Sequence, residues 1–384
     1  MDVFLFHLMP YPETPENFDE YQTSWLTYPR KHFDPRKGQQ LYKEYLDQLV
    51  YAEELGFDGV SVNEHHQTTY GMMPCPDVMA ALIVRETKRM KIAIIGNALP
   101  LRDHPLRVAE EIAVLDCVSG GRIISGFVRG IGVEYFTFGA DPTRSRERFN
   151  EAHDLIIKAW TAEEPFEWIS KNYRFRYVNV WPRCIQEPHP PIWVPGFGSP
   201  ETFDWVAKHR YTFMSVYAPT ALQKSWLDGV RAAANRYGYE ADPSQLGALF
   251  PIHVADTDAE AHAAAEKHIH WLFNKGLKHK LEYLYPPGYM SMGGMKAAML
   301  SGLKPFHEYS YKELVEQGFI IAGSPESVRE QLLESQGTLG FGTLATLLQF
   351  GDMPNDRARA SMELFAAEVM PALKAASPVA PVAA

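Results

Sequence analysis

Cysteine is scarce in this sequence, and the few cysteines form no pattern. The 384 residues contain only Cys75, Cys117 and Cys184. An odd number of widely spaced cysteines excludes a disulfide framework and any CxxC zinc or redox motif. Such usage is typical of proteins kept in a reducing cytosol, and we therefore predict a cytoplasmic protein.

Long basic runs and long apolar runs are also lacking. The formal charge is −10, from 37 basic and 47 acidic residues, without the basic cluster that nucleic-acid binding requires. No stretch approaches the roughly 18 apolar residues of a membrane span. Residues 1–6 carry no basic segment typical of a signal peptide, so the sequence predicts an unprocessed protein. We expect neither a nucleic-acid partner nor a membrane.

Short apolar runs of strand length alternate with segments of helical period, and this alternation repeats eight times. In the first cycle, a strand at 3–9 is followed by apolar residues at three- and four-residue spacing over 41–55, and Gly56 stops the helix. The other strands are predicted at 57–62, 91–96, 122–128, 192–195, 212–217, 247–255 and 343–350. Eight parallel strands with right-handed crossovers predict an α/β protein with a (β/α)8 TIM barrel.

Two segments do not fit this cycle and are predicted to be insertions. Residues 166–191 are rich in aromatic and β-branched residues with several prolines, which favours a hairpin or flap. Residues 271–319 contain a tyrosine- and methionine-rich stretch that is more typical of a lid. We predict one domain over residues 1–376 and a disordered tail over the Pro/Ala/Val string at 377–384.

Polar residues follow the second predicted strand, where a barrel places its reactive groups. Glu64, His65 and His66 lie just beyond that strand. An imidazole that titrates near neutrality is suited to proton transfer. The alternative is that these histidines are ordinary surface residues on a loop.

An anion site is indicated at the same end of the barrel. Arg129 follows the fourth strand, Arg146 begins the next helix, and Ser199 heads the helix after the fifth strand. A helix amino terminus and guanidinium groups together suit a phosphate. The alternative is a surface ion pair beside an ordinary helix start.

Metal and nucleophile chemistry find less support. His262, Glu266 and His270 share one helical face, but that face belongs to an outer helix, and we predict no metal site. The sequence has no GxSxG motif, and nothing marks Cys75 as activated. A metal hydrolase therefore ranks last among the hypotheses.

Several short motifs occur in one order along the predicted barrel. They are GFDGV (56–60), EHH (64–66), NALP (97–100), HPLR (104–107), AEE (109–111), LD (115–116), SGGR (119–122), GFVRG (126–130), FG (138–139), SR (145–146) and PPIWV (190–194). In this order and spacing the sequence resembles the bacterial luciferase-like flavin-dependent monooxygenases over nearly the whole barrel.

The resemblance implies a cofactor and a set of residues that bind it. Reduced FMN would lie at the carboxyl end of the barrel and activate oxygen. Its phosphate would be held by Arg129, Arg146, Gly198, Ser199 and Thr202. This agrees with the anion site inferred above from the residues themselves.

The resemblance also implies catalytic roles. His65 aligns with the family's catalytic histidine and would hydrogen-bond or protonate the activated oxygen, with Glu64 as its neighbour. The peptide at Asn97 and Ala98 would lie against the flavin ring, where family members often carry a non-proline cis bond. Val128 stands where luciferases carry a reactive cysteine, so we do not predict light emission.

Partners and substrate follow from the same resemblance. A separate flavin reductase would supply reduced FMN, since no GxGxxG motif follows any predicted strand, and a homodimer is expected. Aromatic and sulfur-containing residues indicate an apolar or aromatic substrate, although each could instead be core. The predicted substrate pocket comprises Tyr70, Met72, Tyr135, Phe197 and Tyr289. The alternatives are an enzyme that uses the deazaflavin F420 for hydride transfer and a flavin-binding protein without turnover.

Overall fold

A computed structural model describes residues 1–376, and in it the predicted alternation closes into a barrel. The strands are β1 (Asp2–Phe6), β2 (Gly59–Val62), β3 (Lys91–Ala98), β4 (Ile123–Val128), β5 (Phe166–Ile169), β6 (Arg174–Val178), β7 (Ile192–Gly196), β8 (Thr212–Ser215), β9 (Leu246–Val254), β10 (Ile321–Gly323) and β11 (Thr343–Leu347). Eight of them pair in parallel in the order β1-β2-β3-β4-β7-β8-β9-β11, and β11 returns to β1. The predicted (β/α)8 barrel is confirmed. The predicted disordered tail at 377–384 lies outside the described residues.

Helices connect the strands and surround the barrel. They are α1 (Pro35–Glu54), α2 (Pro76–Glu86), α3 (Leu106–Ser119), α4 (Gly132–Phe138), α5 (Ser145–Thr161), α6 (Pro200–His209), α7 (Thr220–Arg236), α8 (Asp258–Trp271), α9 (Leu281–Leu284), α10 (Met292–Leu300), α11 (Tyr311–Glu316), α12 (Pro325–Leu339), α13 (Asn355–Leu364) and α14 (Met370–Ala375). The predicted closing helix at 356–373 is divided by a π-helical turn at Phe365–Val369. Over residues 1–376, none of these helices has both the length and the apolar character of a membrane span.

Alternation along each strand separates two apolar layers. Val60 and Val62 of β2 pack in the layer between barrel and helices, whereas Phe4 of β1 and Trp193 of β7 pack inside the barrel with ring centroids 4.8 Å apart. Because successive strand residues point to opposite faces, Ser61 lies on the inner face between the two valines. Inner-face residues near the strand ends therefore line the mouth of the barrel.

The structure of the first insertion was predicted, whereas the second insertion leads into a strand that was not. The first forms an antiparallel hairpin of β5 and β6, as predicted. The second contains α9, α10 and α11, and it leads into β10, which pairs with the last residues of β9 outside the barrel. This short strand was not predicted, because three residues carry too little periodicity to be distinguished from a loop.

The first strand ends at Phe6 rather than at residue 9. Beyond it, Met9 has a positive φ of 52°, and its N–H donates to Nδ1 of His7 at 2.8 Å. The chain therefore leaves the sheet early and begins the long loop that leads to α1.

Candidate active site

His65 forms a buried pair with a residue that the motifs did not indicate. Its Nδ1 lies 3.0 Å from Oε1 of Glu134, a carboxylate that is only 1% exposed. The second oxygen of Glu134, Oε2, accepts a hydrogen bond from the N–H of Ile131 at 2.9 Å. Glu134 thus links the start of α4 to the loop after β2.

Aromatic rings surround the other sides of His65. Its ring centroid lies 5.0 Å from that of Tyr70 and 5.5 Å from that of Trp25, both of which are buried. The ring centroid of Trp25 also lies 4.8 Å from that of His279, which belongs to the second insertion. Burial, and to a smaller extent the nearby His65, lower the pKa of His279 to about 4. At neutral pH His279 is therefore an uncharged wall of this site.

The segment that carries Trp25 is fixed to the second insertion. Both Nε1 of Trp25 and Oγ of Ser24 donate to the carbonyl oxygen of Gly276 at 2.9 Å. The N–H of Ser24 and Oγ1 of Thr23 both donate to the carbonyl of Lys278. The loop after β1 and the base of the second insertion therefore form one wall beside His65.

Glu64 does not hydrogen-bond to His65, its predicted neighbour. Its Oε1 lies 2.8 Å from Nε2 of His66, while its Oε2 accepts from the Arg102 guanidinium at 2.9 Å and from the N–H of Ala98 at 3.1 Å. Alternation after β2 explains this separation, since adjacent side chains point to opposite sides. Glu64 fixes the end of β3 rather than the imidazole of His65.

Asn97 belongs to the same cluster as Glu64. Its Oδ1 accepts from Arg102 at 3.3 Å, and its Nδ2 lies 3.5 Å from Oδ1 of Asp77. Both cis peptide bonds within residues 1–376 precede prolines, Pro182 and Pro188, so the cis bond expected at Asn97 and Ala98 is not observed. A break in the β3–β4 register between Ile94 and Asn97 accompanies this turn of the strand.

The predicted anion-binding residues meet at one place. Nη1 of Arg129 donates to Oγ of Ser145 and to the carbonyl of Tyr289, both at 3.1 Å, while Nη2 of Arg146 lies 3.5 Å from Oγ of Ser199. Burial lowers the pKa of Arg146, and the adjacent Arg129 lowers it further. Within residues 1–376, neither arginine has a carboxylate within 4 Å. Neighbouring guanidinium groups without a bound carboxylate are an arrangement that suits an anion.

The amino terminus of α6 completes this cluster. Ser199 precedes the helix, and its hydroxyl donates to Oε2 of Glu201 at 2.6 Å. Burial would raise the pKa of Glu201, but hydrogen bonds from Ser199 and Ser291 lower it to about 2. Thr202 lies in the first turn of α6, where its N–H bonds to the carbonyl of Ser199.

Gly198 is required by its surroundings. Its φ is +84°, and a Cβ at this position would lie 2.1 Å from Nε1 of Trp226 on α7. A side chain here would displace the loop that carries Ser199. The glycine therefore sets the position of the α6 amino terminus.

The structure places the five predicted substrate-pocket residues in different local surroundings. Tyr70 lies beside His65, whereas Tyr135 and Tyr289 pack against each other at 5.5 Å next to Arg129. Met72 packs in the layer between barrel and helices, and Phe197 is 59% exposed. The aromatic contact of Tyr70 links this residue to the predicted catalytic histidine.

Three residues beside His65 were missed by the sequence analysis, namely Glu134, Trp25 and His279. Glu134 stands three residues after the N-cap position of α4, a position typical of capping, and this signal gives no hint of a contact with His65. Trp25 and His279 lie in segments without periodicity. Only the folded chain brings them to the site.

The proposed metal-ligand pattern on α8 does not form a cluster. Nδ1 of His262 lies 2.8 Å from the hydroxyl of Tyr311. In the described part of the chain, no group of three or more His, Cys, Asp or Glu side chains is arranged to hold a metal ion.

Comparison with known proteins gives consistent matches over most of the chain. A family model described as luciferase-like monooxygenase matches residues 22–340. The oxygenase component of the flavin-dependent trigonelline monooxygenase of Acinetobacter baylyi is 22% identical over 346 residues, which cover 88% of this chain and 92% of that protein.

Two solved structures share the fold. The oxygenating constituent of 3,6-diketocamphane monooxygenase from Pseudomonas putida, in complex with FMN, has a TM-score of 0.74 at 22% identity and covers 97% of this chain and 98% of its own. An F420-dependent secondary alcohol dehydrogenase has a TM-score of 0.68 at 16% identity, with the same coverage. At these identities the likeness establishes the barrel and leaves both cofactors to be considered.

Proposed function

Because the chain belongs to the luciferase-like monooxygenase family, we propose that it is the oxygenase component of a two-component monooxygenase that uses reduced FMN and O2. Its substrate is a small organic molecule that is apolar or aromatic. The observation that carries the choice of cofactor is the pair Arg129 and Arg146, which lies beside Ser199 without a carboxylate partner within 4 Å in residues 1–376.

The residues present fit FMN. A phosphate monoester carries about −1.5 to −2 charges at neutral pH, which two guanidinium groups and a helix amino terminus can hold. Inside the mouth, Oγ of Ser61 and Oδ1 of Asn63 are buried polar atoms without a hydrogen-bond partner in the described structure. Such atoms are available to the polar edge of an isoalloxazine ring. When bound, reduced FMN would supply the electrons that reduce oxygen.

The protein's own contribution in this proposal is binding, orientation and proton transfer. Arg129, Arg146, Ser199, Thr202 and Gly198 anchor the phosphate end of the cofactor. His65 holds or transfers a proton at Nε2 beside the reacting oxygen. Glu64 holds the β3 terminus, including Asn97 and Ala98, against the cofactor and acts through position rather than proton transfer.

The substrate class rests on the wall beside His65. Trp25 and Tyr70 have ring centroids 5.5 Å apart with an interplanar angle of 29°, and both flank His65. These buried rings give the site beside His65 an apolar, aromatic border, which favours an apolar or aromatic substrate over a charged one. Nδ1 of His279 is buried without a partner in the described structure and could hydrogen-bond one polar substituent.

A homodimer is part of the proposal. The adjacent helices α2 and α3 expose the apolar side chains of Val78, Leu82, Val114 and Val118, which are between 45% and 67% exposed. Exposed apolar side chains on two helices in contact are suited to an isologous interface. Sedimentation should therefore give a mass of two chains, and Val118→Lys should shift it towards one.

Ligand titration tests the cofactor. Reduced FMN, reduced riboflavin and reduced F420 are titrated anaerobically into the wild type, Arg146→Gln and, as a matched control, Arg107→Gln, which removes an exposed arginine paired with Glu110. We expect tight binding of FMN, loss of about 10- to 100-fold in Arg146→Gln from one charge-assisted contact, and no change in the control.

The other outcomes are equally informative. Equal binding of riboflavin and FMN would contradict the phosphate site. Preferential binding of F420 would favour the hydride-transfer alternative. Formation of oxygenated product from candidate substrates then separates an oxygenase from a flavin-binding protein without turnover.

A further inference from the structure

We propose that Glu134 is a positioning residue that fixes the tautomer and the ring orientation of His65, so that Nε2 faces the mouth as a proton acceptor. This inference rests on the proposed function for its catalytic meaning. The hydrogen-bond geometry on which it stands is independent of any cofactor.

The hydrogen bond determines the tautomer. Oε1 of Glu134 lies 3.0 Å from Nδ1 of His65. A carboxylate only accepts hydrogen bonds, so the hydrogen of the neutral imidazole must reside on Nδ1. Nε2 then carries the lone pair. Among residues 1–376, no group hydrogen-bonds to Nε2, and the side chain retains 16% exposure.

Glu134 is itself held in one orientation. Its Oε2 accepts from the N–H of Ile131, and its side chain is only 1% exposed. Gly130 has a φ of +75°, and a Cβ there would lie 3.0 Å from Oε2. The backbone therefore approaches the carboxylate closely, and the carboxylate cannot rotate away without losing the Ile131 contact.

Among residues 1–376, Glu134 is the one acidic side chain within 4 Å of an imidazole nitrogen of His65. From the loop after β1 comes Trp25, from the second insertion His279, and from its own loop Tyr70, whose hydroxyl bonds to Tyr217 at 3.2 Å. Burial lowers the pKa of His279 to about 4 and raises that of Tyr70, so both are neutral near pH 7. In the described chain, no lysine or arginine lies within 4 Å of Glu134.

The proton therefore moves at Nε2 alone. When Nε2 takes a proton from a bound donor, the imidazolium forms next to the carboxylate, which stabilises it while the Nδ1 hydrogen stays in place. Returning the proton restores the neutral Nδ1–H ring. Glu134 touches neither substrate nor cofactor in this scheme and takes no proton itself.

The conservative substitution Glu134→Gln predicts a specific reversal. The amide oxygen must accept from Ile131 N–H, since the amide nitrogen would otherwise oppose another donor. This places the amide NH2 group against Nδ1 of His65, which must then carry a lone pair. We expect the neutral ring to switch to the Nε2–H tautomer and Nε2 to lose its acceptor role.

Nitrogen NMR of the 15N-labelled full chain measures this directly, with His65→Gln used to assign the resonance. We expect the Nδ1–H form in the wild type and in the exposed control Glu110→Gln, and the Nε2–H form in Glu134→Gln. An Nε2–H wild type, or an unchanged tautomer in Glu134→Gln, would overturn the proposal. The wild-type spectrum by itself tests which nitrogen of His65 carries the hydrogen. The proposal is therefore tested even if Glu134→Gln fails to fold.

Single-turnover formation of oxygenated product from reduced FMN and O2 supplies the second readout. We expect a drop of about 10- to 100-fold in Glu134→Gln, partial rescue in Glu134→Asp, and unchanged FMN affinity in both. If the wild type binds no FMN, the proposed function fails while the tautomer result stands. If FMN binds and the tautomer is wrong, only the role of Glu134 fails.

Discussion

Two histidine–glutamate pairs lie side by side after β2, and they differ in what else the carboxylate binds. Glu134 binds His65 and one backbone N–H, and Nε2 of the imidazole has no hydrogen-bond partner among residues 1–376. Glu64 binds His66, but its other oxygen is shared between Arg102 and Ala98. The first carboxylate acts on one imidazole, whereas the second connects three elements of the barrel.

This difference shows that the residue types alone do not define a catalytic pair. Both glutamates are buried and both histidines are within hydrogen-bond distance. The ring of His66 packs on Phe138 at 4.7 Å, whereas that of His65 lies among Trp25 and Tyr70. We therefore assign chemistry to the first pair and stability to the second.

The largest expected effect is on turnover. His65→Gln should lower reduced-FMN-driven substrate oxidation by about 100- to 10,000-fold, the usual range for loss of a general acid or base. His66→Gln should change it only a few-fold. Product formation under single turnover measures both, with FMN affinity as the check on binding. Equal losses in the two variants would remove the distinction between the pairs.

Stability should show the opposite order. Glu64→Ala leaves the Ala98 N–H without its acceptor and removes the only carboxylate in residues 1–376 within 4 Å of the Arg102 guanidinium, which then keeps Oδ1 of Asn97. We expect a loss of about 3–5 kcal/mol in the free energy of unfolding. Glu134→Ala leaves the N–H of Ile131 and the neutral imidazole of His65 without their acceptor, and we expect the free energy of unfolding to fall by about 1–3 kcal/mol. Urea unfolding compares them. A larger loss for Glu134→Ala would contradict the structural role given to Glu64.

The close approach of Gly130 to Glu134 gives a smaller effect with a matched control. Gly139 has a φ of +60°, and a Cβ added there would meet open space. Gly139→Ala should therefore lower the free energy of unfolding only by the strain of a left-handed alanine, about 1–2 kcal/mol. Gly130→Ala adds a contact at 3.0 Å with Oε2 of Glu134 and one at 3.1 Å with Cδ1 of Leu101. It should therefore be less stable than the control and lower turnover as well. If the two variants behaved alike, the contact would have no energetic weight.

The smallest expected effect is on how the free energy of unfolding depends on pH. His279 lies near His65, and burial lowers its pKa from 6.5 to about 4. Between these two pH values the folded state therefore binds fewer protons than the unfolded state. Its contribution to stability is complete above pH 6.5 and is lost as the pH falls towards 4. In His279→Gln we expect the loss between pH 7 and pH 5 to shrink by about 1–2 kcal/mol.

The exposed His104 provides the control for this titration. Thermal unfolding of His104→Gln across the same pH range should match the wild type. A steeper acid dependence in His279→Gln than in the wild type would contradict the buried, neutral state of His279.

The fold was largely predictable because it follows from local patterns. Gly56 and the apolar runs around it give the strand–helix cycle, and strand ends in a parallel barrel must meet at one mouth. The positions of Arg129, Arg146 and Ser199 relative to one another follow from the same rule. The short strand β10 and the early end of β1 were not predictable, because they depend on single contacts rather than on periodicity.

The sequence by itself determined the barrel, the end at which polar groups gather and the family, since hydrophobic periodicity and motif order are properties of the chain in one dimension. The tertiary structure alone decided that His65 pairs with Glu134, 69 residues away, and that Glu64 belongs to His66 and Arg102. The reason is physical. Hydrogen bonds select partners by distance and direction, and these are set only when separate loops are packed together.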